Sequence, residues 1–496
     1  MKTINYISIL TLFVLLFSSC ELDYYPKDEL SSEKVSGNPE LLGNVLIGGY
    51  SRLDEWNYSR SGHFLDELHS DDVTWVKNSG AAINRTYGYQ PYVNHGNAQG
   101  FWILAYEGIY STNKVIENIP DDASQELLQL KGEALFLRAK FHFDLVRVFS
   151  RPYTHEDPSE NLGIPIKKST EDNLPPRSSV KETYEFIVSD FLKAAELMNA
   201  NKPAIYGSTQ AAWAYLSRMY LYMEQNEKAI EYADKVINSG KYQLVSTDNL
   251  ADYYTLVPEN NPETIFAIKR VPAENKGKGS ISSLYNEEGG GWGEIPLSRP
   301  FVELIYENPN DKRIEFIEPK YVKDDEGNKI PDPDDPTGYQ VEKRLGYPKY
   351  FNVKYTRQQG IPMLSSPVQI RLAEMYLNKA EAYAKLGEDQ NAIDNVNIIR
   401  ERAGLSGDQL YTTSDLHGYD SVLDVVLVER RLELFVEGHR SFDLFRNHRG
   451  VDRSYTHGEG WAGPQFIPYT SNRIYELIPE RVMRLNPQME QNPLPE

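Results

Sequence analysis

Apolar residues along this chain recur mainly with the period of a helix. Leu42, Val45, Leu46, Gly49, Tyr50 and Leu53 form one stripe, so the spacing predicts a helix over Leu41–Leu53. Phe101–Ile119 carries a second stripe, made of Trp102, Tyr106, Ile109, Tyr110, Asn113 and Ile116. Gln125–Phe149 and Val180–Ala200 carry two more, and Asp424–Glu437 and Asp443–Arg446 return to the same period. Residues 57–99 break it. They are polar, Gly-containing and aromatic, and read as loop. Pro152–Arg177 reads as a proline-punctuated connection, and the Pro- and Asn-rich C-terminus as irregular chain.

Two segments repeat one another. Shifted by 163 positions, Trp213 falls on Tyr376, Ser217 on Ala380, Tyr220 on Tyr383, Ala229 on Ala392, Ala233 on Val396 and Val236 on Ile399. That is the tetratricopeptide register of two antiparallel helices joined by a short turn. Small residues let the two helices approach, and large ones fill the groove to the next pair. Between the repeats the helical period stops. The stretch contains an extended signal at Thr264–Ile268, the glycines 289–291 and the run Asp332-Pro-Asp-Asp-Pro336. The predicted fold is mainly α. A tetratricopeptide-repeat scaffold has helices at about 101–149, 180–240, 367–402 and 424–446. A large irregular, short-strand insert at about 241–366 lies over one face, together with residues 57–99.

The first residues change the picture from a soluble scaffold to an exported one. Lys2 precedes an apolar run, Ile7–Phe17, that is too short to span a bilayer, and Ser18 and Ser19 lead to Cys20. This resembles a bacterial lipobox, with Phe17 where Leu is more usual. Residues 1–19 therefore read as a signal peptide, Cys20 as the lipidated residue, 20–40 as an extended tether and 41–496 as a single domain. Cys20 is the only cysteine, so no intramolecular disulfide forms. The net charge of −20 repels phosphate backbones and argues against nucleic acid as a partner.

Several segments in order along nearly the whole chain resemble the SusD/RagB family of outer-membrane nutrient-uptake lipoproteins. They include Trp102-x3-Tyr106-x2-Ile109-x3-Asn113, Gly132-Glu-Ala-x2-Leu-Arg-Ala139 and Pro176-Arg-Ser-Ser179. Further on stand Arg371-Leu-Ala-Glu-Met-Tyr-Leu377, Glu429-Arg-Arg-x-Glu-Leu434 with Glu437-Gly-His-Arg-x2-Asp-Leu444, and Gln491-Asn-Pro493 near the end. The resemblance implies tetratricopeptide helices supporting an irregular ligand face, and binding without catalysis. It implies an oligosaccharide ligand, and a TonB-dependent SusC-like β-barrel transporter as partner. It also implies a lipid-anchored place on the outer membrane, facing the exterior. A peptide-binding adaptor and a secreted helical glycosidase are the alternatives.

A sugar site needs aromatic faces framed by amides and charges on exposed loops. Two clusters have that composition: Trp75 and Asn78 followed by Arg85 and Tyr87, and Tyr285 followed by Trp292 behind the glycine run. Trp461 is a further candidate, whereas Trp102 and Trp213 lie on helical stripes and read as core. A glycosidase needs two carboxylates about 5–10 Å apart. Asp66/Glu67 and Asp71/Asp72 are available pairs that nothing singles out. No cofactor is implied, and nine scattered His with no H-E-x-x-H argue against zinc. Calcium could sit at Asp324–Asn328 or at Asp332, Asp334 and Asp335, though neither fits the EF-hand spacing. The alternating charges of Glu429–Arg446 read as ion pairs that fix a packing angle.

Overall fold

Asn38 opens the first helix. Its side chain accepts the Leu41 amide at 3.2 Å and Pro39 takes the first helical position. The computed structural model describes residues 38–76, 82–172, 174–459, 461 and 463–495. Cys20, Asn78 and most of the tether lie outside the described residues. The first run of helices is α1 (Pro39–Asp54), α2 (Trp56–Glu67), α3 (Ala82–Tyr87), α4 (Gly96–Glu117), α5 (Gln125–Phe149), α6 (Val180–Leu197), α7 (Thr209–Tyr222) and α8 (Asn226–Ile237). The insert follows, with β1 (Thr264–Ala267), α9 (Ser282–Tyr285), α10 (Arg299–Tyr306), β2 (Ile317–Pro319), β3 (Lys343–Arg344), β4 (Tyr347–Pro348), β5 (Tyr350–Asn352) and β6 (Val368–Arg371). The chain then forms α11 (Leu372–Leu386), α12 (Asp389–Arg402), α13 (Val422–Leu434), α14 (Arg440–Arg446), β7 (Val451–Asp452), β8 (Phe466–Ile467) and α15 (Glu480–Leu485).

The helices stack in series. α1 packs on α4, α4 on α5, α5 on α6, α6 on α7, α7 on α8, α8 on α11, and α11 on α12 and α13. The two repeated hairpins are therefore neighbours in space although the insert separates them in sequence. Their small positions do what the register requires: Ala229, Ala233, Ala380 and Ala392 are fully buried between helices. At the seam, Ser217 Oγ donates to the Ala229 carbonyl at 2.9 Å and Asn378 Nδ2 donates to Ser217 Oγ at 3.2 Å. Trp102 is buried and Trp213 packs against the scaffold core.

The insert is pinned where it leaves and rejoins the scaffold. β1 pairs antiparallel with β6, Thr264 opposite Arg371, and β6 runs directly into α11. Within it β2 pairs with β5 and β3 with β4, each antiparallel. A second apolar core lies beneath it. Phe64 and Leu68 of the α2 region, Tyr285, Ile295, Leu297 and Phe301 of the insert, and Leu432, Phe435 and Val436 meet there.

Residues 57–99 correct the sequence reading. They are not simply loop: α2 covers all of 57–67, α3 covers 82–87, and α4 begins at Gly96. The reason is burial on nearly every side. Ser59, Arg60, Ser61 and Glu67 are buried along with Tyr58, Phe64 and Leu65, so no polar face marks the helical period. Among the described residues no helix is long and apolar enough to cross a membrane.

Candidate functional site

The two aromatic clusters of the sequence lie side by side. Val73 bridges Leu297, the Thr74 amide donates to the Pro296 carbonyl at 2.9 Å, and the Val76 amide donates to the Glu294 carbonyl at 3.0 Å. Ser298 closes the other end, its amide on the Asp72 carbonyl at 2.7 Å and its hydroxyl on the Asp71 carbonyl at 2.6 Å. This short antiparallel contact fixes the approach to Trp75 against the approach to Trp292.

The side chains then diverge. Trp292 is 44 % exposed, with Lys278 Nζ 4.5 Å from its ring centroid and the Arg344 guanidinium on its carbonyl. The glycines make this turn. Gly293 has φ +54°, and a Cβ there would stand 2.9 Å from the Phe351 ring. Trp75 is only 3 % exposed, contrary to the exposed loop position expected of it. It sits in the second core, and its indole Nε1 is buried with no partner among the described residues. Tyr285 and Tyr87 are likewise buried rather than exposed. Tyr285 shares a 2.7 Å hydrogen bond with His63 Nε2. Tyr87 Oη lies 3.1 Å from Thr74 Oγ1 and 3.0 Å from His457 Nδ1. A buried aromatic needs a partner for its polar tip, and both tyrosines have one. Arg85 is exposed on α3, its guanidinium 4.2 Å above the Tyr92 ring.

Trp461 completes the water-facing surface. It is half-buried and stacks on His457 at 3.6 Å. The turn between β3 and β4 joins it to Trp292: Leu345, 40 % exposed, accepts the Glu459 amide at 2.8 Å through its carbonyl, and the next residue back is Arg344. Gly458 meanwhile closes on Val76. The result is one rim of Trp292, Lys278, Arg344, Leu345 and Trp461, with flat apolar faces beside hydrogen-bonding cations. Sequence reasoning missed Lys278, Arg344 and Leu345, because no local pattern marks long-range partners of an exposed ring.

Below the rim, buried ion pairs lock the loops to the scaffold. Arg431 pairs with Asp72 at 2.6 Å and Arg440 with Asp71 at 2.7 Å, at the base of the Trp75 segment. Burial alone would raise the Asp71 carboxyl, but Arg431 and Arg440 outweigh it and hold it below the usual carboxylate range. Arg371 spans Glu263, Glu433 and Glu437, and Lys354 joins Glu437 at 2.8 Å. Burial pushes the Glu437 carboxyl up, yet Arg371 and Lys354 bring it down to about 2. Arg446 and Arg430 close on Glu381 and Asp443. The alternating charges of 429–446 are therefore ion pairs, as their spacing indicates. Glu67, Asp71 and Asp72 are buried among these groups. The acidic turns of the insert hold hydrogen bonds from their surroundings: Asp324 Oδ1 accepts the amides of Glu326 and Asn328 within its own turn, and Asp335 Oδ2 accepts the hydroxyl of Tyr350 on β5 at 2.6 Å. Among the described residues no group of three or more His, Cys, Asp or Glu side chains could hold a metal ion.

Stacked helical hairpins carrying an irregular, aromatic loop face place the chain in the helical-repeat class. Comparison with known proteins gives the family. The model described as the SusD family matches residues 222–494, and that described as starch-binding and associating with the outer membrane matches residues 22–221. The chain belongs to the SusD/RagB family. It is similar to SusD-like protein P38 of Formosa agariphila, with 26 % identity over 99 % of each chain. Among solved structures it resembles a SusD superfamily protein of Bacteroides thetaiotaomicron VPI-5482, with 27 % identity, TM-score 0.77, and 92 % of this chain and 100 % of that one covered. It also resembles a Bacteroides vulgatus ATCC 8482 protein provisionally described as sugar-binding, with 26 % identity, TM-score 0.78, and 92 % and 98 % covered.

Proposed function

We infer that this protein is a non-catalytic, lipid-anchored glycan-binding protein of the outer cell surface. It captures an oligosaccharide and delivers it to a TonB-dependent SusC-like barrel. The observation that carries the reading is Trp292, lifted into water by a glycine turn between two cations, on the same rim as Trp461. A ring in that setting stacks on the C–H face of a sugar, while Lys278 and Arg344 donate to its hydroxyls. The description of a solved relative as sugar-binding, and of the matching family as starch-binding at the outer membrane, supports the ligand class. Cys20 would carry the lipid, and the body would sit over the barrel mouth as a lid.

Affinity electrophoresis of the purified protein through gels containing different polysaccharides tests this. The parent chain is expected to be retarded by at least one glycan. Trp292→Ala is expected to weaken that binding by about tenfold, the effect of losing roughly 1.4 kcal/mol at a central aromatic contact. A Trp292→Ala protein retarded like its parent would place the site elsewhere. A parent that binds no glycan would remove the carbohydrate reading.

A further inference from the structure

Away from the rim, a groove of about 670 Å³ runs between α4, the 165–175 segment and the C-terminal tail. Trp102, Tyr106, Tyr110, Leu174, Leu485 and Met489 supply most of its apolar wall. Tyr110, Leu174 and Leu485 are about half exposed or more, at 50 %, 48 % and 58 %. Three large apolar side chains left in water around one groove call for an occupant.

We propose that the occupant is the chain's own tether, residues 21–37, with Leu22-Asp-Tyr-Tyr-Pro26 lying in the groove. Three observations on this chain point to it. The tether enters the fold at Asn38, the cap of α1, and α1 lies along the groove-forming helix. Gly49 faces Thr112, and Arg52, itself a groove residue, meets Glu107 at 3.4 Å. The tether is long enough: 17 extended residues reach about 55–60 Å, whereas running back along the 16 residues of α1 takes only about 24 Å. Its chemistry also matches the wall. Leu22, Tyr24, Tyr25 and Pro26 suit the apolar surface. Glu21, Asp23, Asp28, Glu29 and Glu33, against Lys27 and Lys34, give the tether a net negative charge, and the groove wall, with Arg52, Lys167 and Arg481 against Glu107, is net positive. Seated this way, the tether sets how far the body stands from its lipid. The proposal does not depend on the glycan reading.

The test is photo-crosslinking of the full-length protein in detergent, with p-benzoylphenylalanine replacing Tyr25 and the products mapped by mass spectrometry. The expected product is an intramolecular crosslink to peptides bearing Tyr110, Leu485 or Met489, at monomer mass. Leu485→Glu is expected to cut its yield at least about fivefold with no change in melting temperature. Crosslinks to other surfaces, a covalent dimer, a crosslink to a co-purified barrel, or no crosslink at all would each overturn the proposal.

Discussion

Trp75 and Trp292 stand on two strands of chain that touch, yet one is core and the other meets water. The difference lies in what surrounds each ring. Trp75 is covered by the second core, which includes Tyr87 and Ile295, while Trp292 leaves the surface at a turn that only glycine can make. Trp75→Ala is therefore expected to cost about 3–5 kcal/mol, the usual penalty for emptying a buried aromatic site. Urea unfolding monitored by circular dichroism checks this. A Trp75→Ala protein as stable as its parent would mean that the ring is not buried in solution. At this scale the sequence was only half legible. It marked which residue types belong to the ligand chemistry, and placed Trp102 and Trp213 on the scaffold through their helical period. It could not rank Trp75 against Trp292, because burial of a loop ring depends on a core whose other members, such as Leu297 and Val436, are far away in sequence.

Among elements, close helix approach decides the geometry. Gly108 of α4 lies against the Phe141 ring of α5, and a Cβ there would fall inside the ring's van der Waals envelope. Gly108→Ala gains about 1 kcal/mol of helix propensity but forces an overpacked contact costing about 1–3 kcal/mol. A lower melting temperature is the expected outcome, and a higher one would show that the helices have room to spare. α1, α4, α6, α8 and α12 were legible because each keeps a water-facing side, whereas α5 and α7 are buried almost throughout and were legible through the length of their helical period and, for α7, through the repeat. α2 was not legible, since its serines, Arg60 and Glu67 are buried and erase the amphipathic signal. The insert's short strands were mostly illegible too, because β3–β4 and β2–β5 are pairings of two or three residues.

Across the whole molecule, buried charge joins scaffold to loops, and this makes stability depend on pH. Burial lowers His63, His69 and His142 to about 3 and His439 and His457 to about 4. In the unfolded chain these histidines take up protons near pH 6.5, so the unfolded state binds more protons below that pH and stability falls. Glu381 and Glu437, held at about 2 by Arg446 and by Arg371 against the push of burial, add a further loss as pH drops below about 4.5. Burial acts oppositely on Asp66 and Glu67, which it raises to about 6 and about 8. Their contribution is greatest at low pH and is lost as pH rises through those values. Burial also raises Asp72, Asp190 and Glu476, so the histidines and the raised carboxyls oppose one another above pH 4.5, and the urea midpoint is expected to fall on acidification from about pH 4.5 to 2, where the carboxyls held low take up protons. A midpoint that rises over that range would contradict the buried network.

The central claim is that stacked helical hairpins hold a rim of rings in water for a sugar to stack on. The most direct measurement is a glycan titration of 5-fluorotryptophan-labelled protein followed by fluorine NMR, with the six tryptophan lines assigned by single substitution. The Trp292 line, and with it Trp461, should shift as glycan is added, while Trp75, Trp102 and Trp213 stay in place. A Trp292 line that does not move while glycan binds, or that moves less than Trp75, would contradict the account.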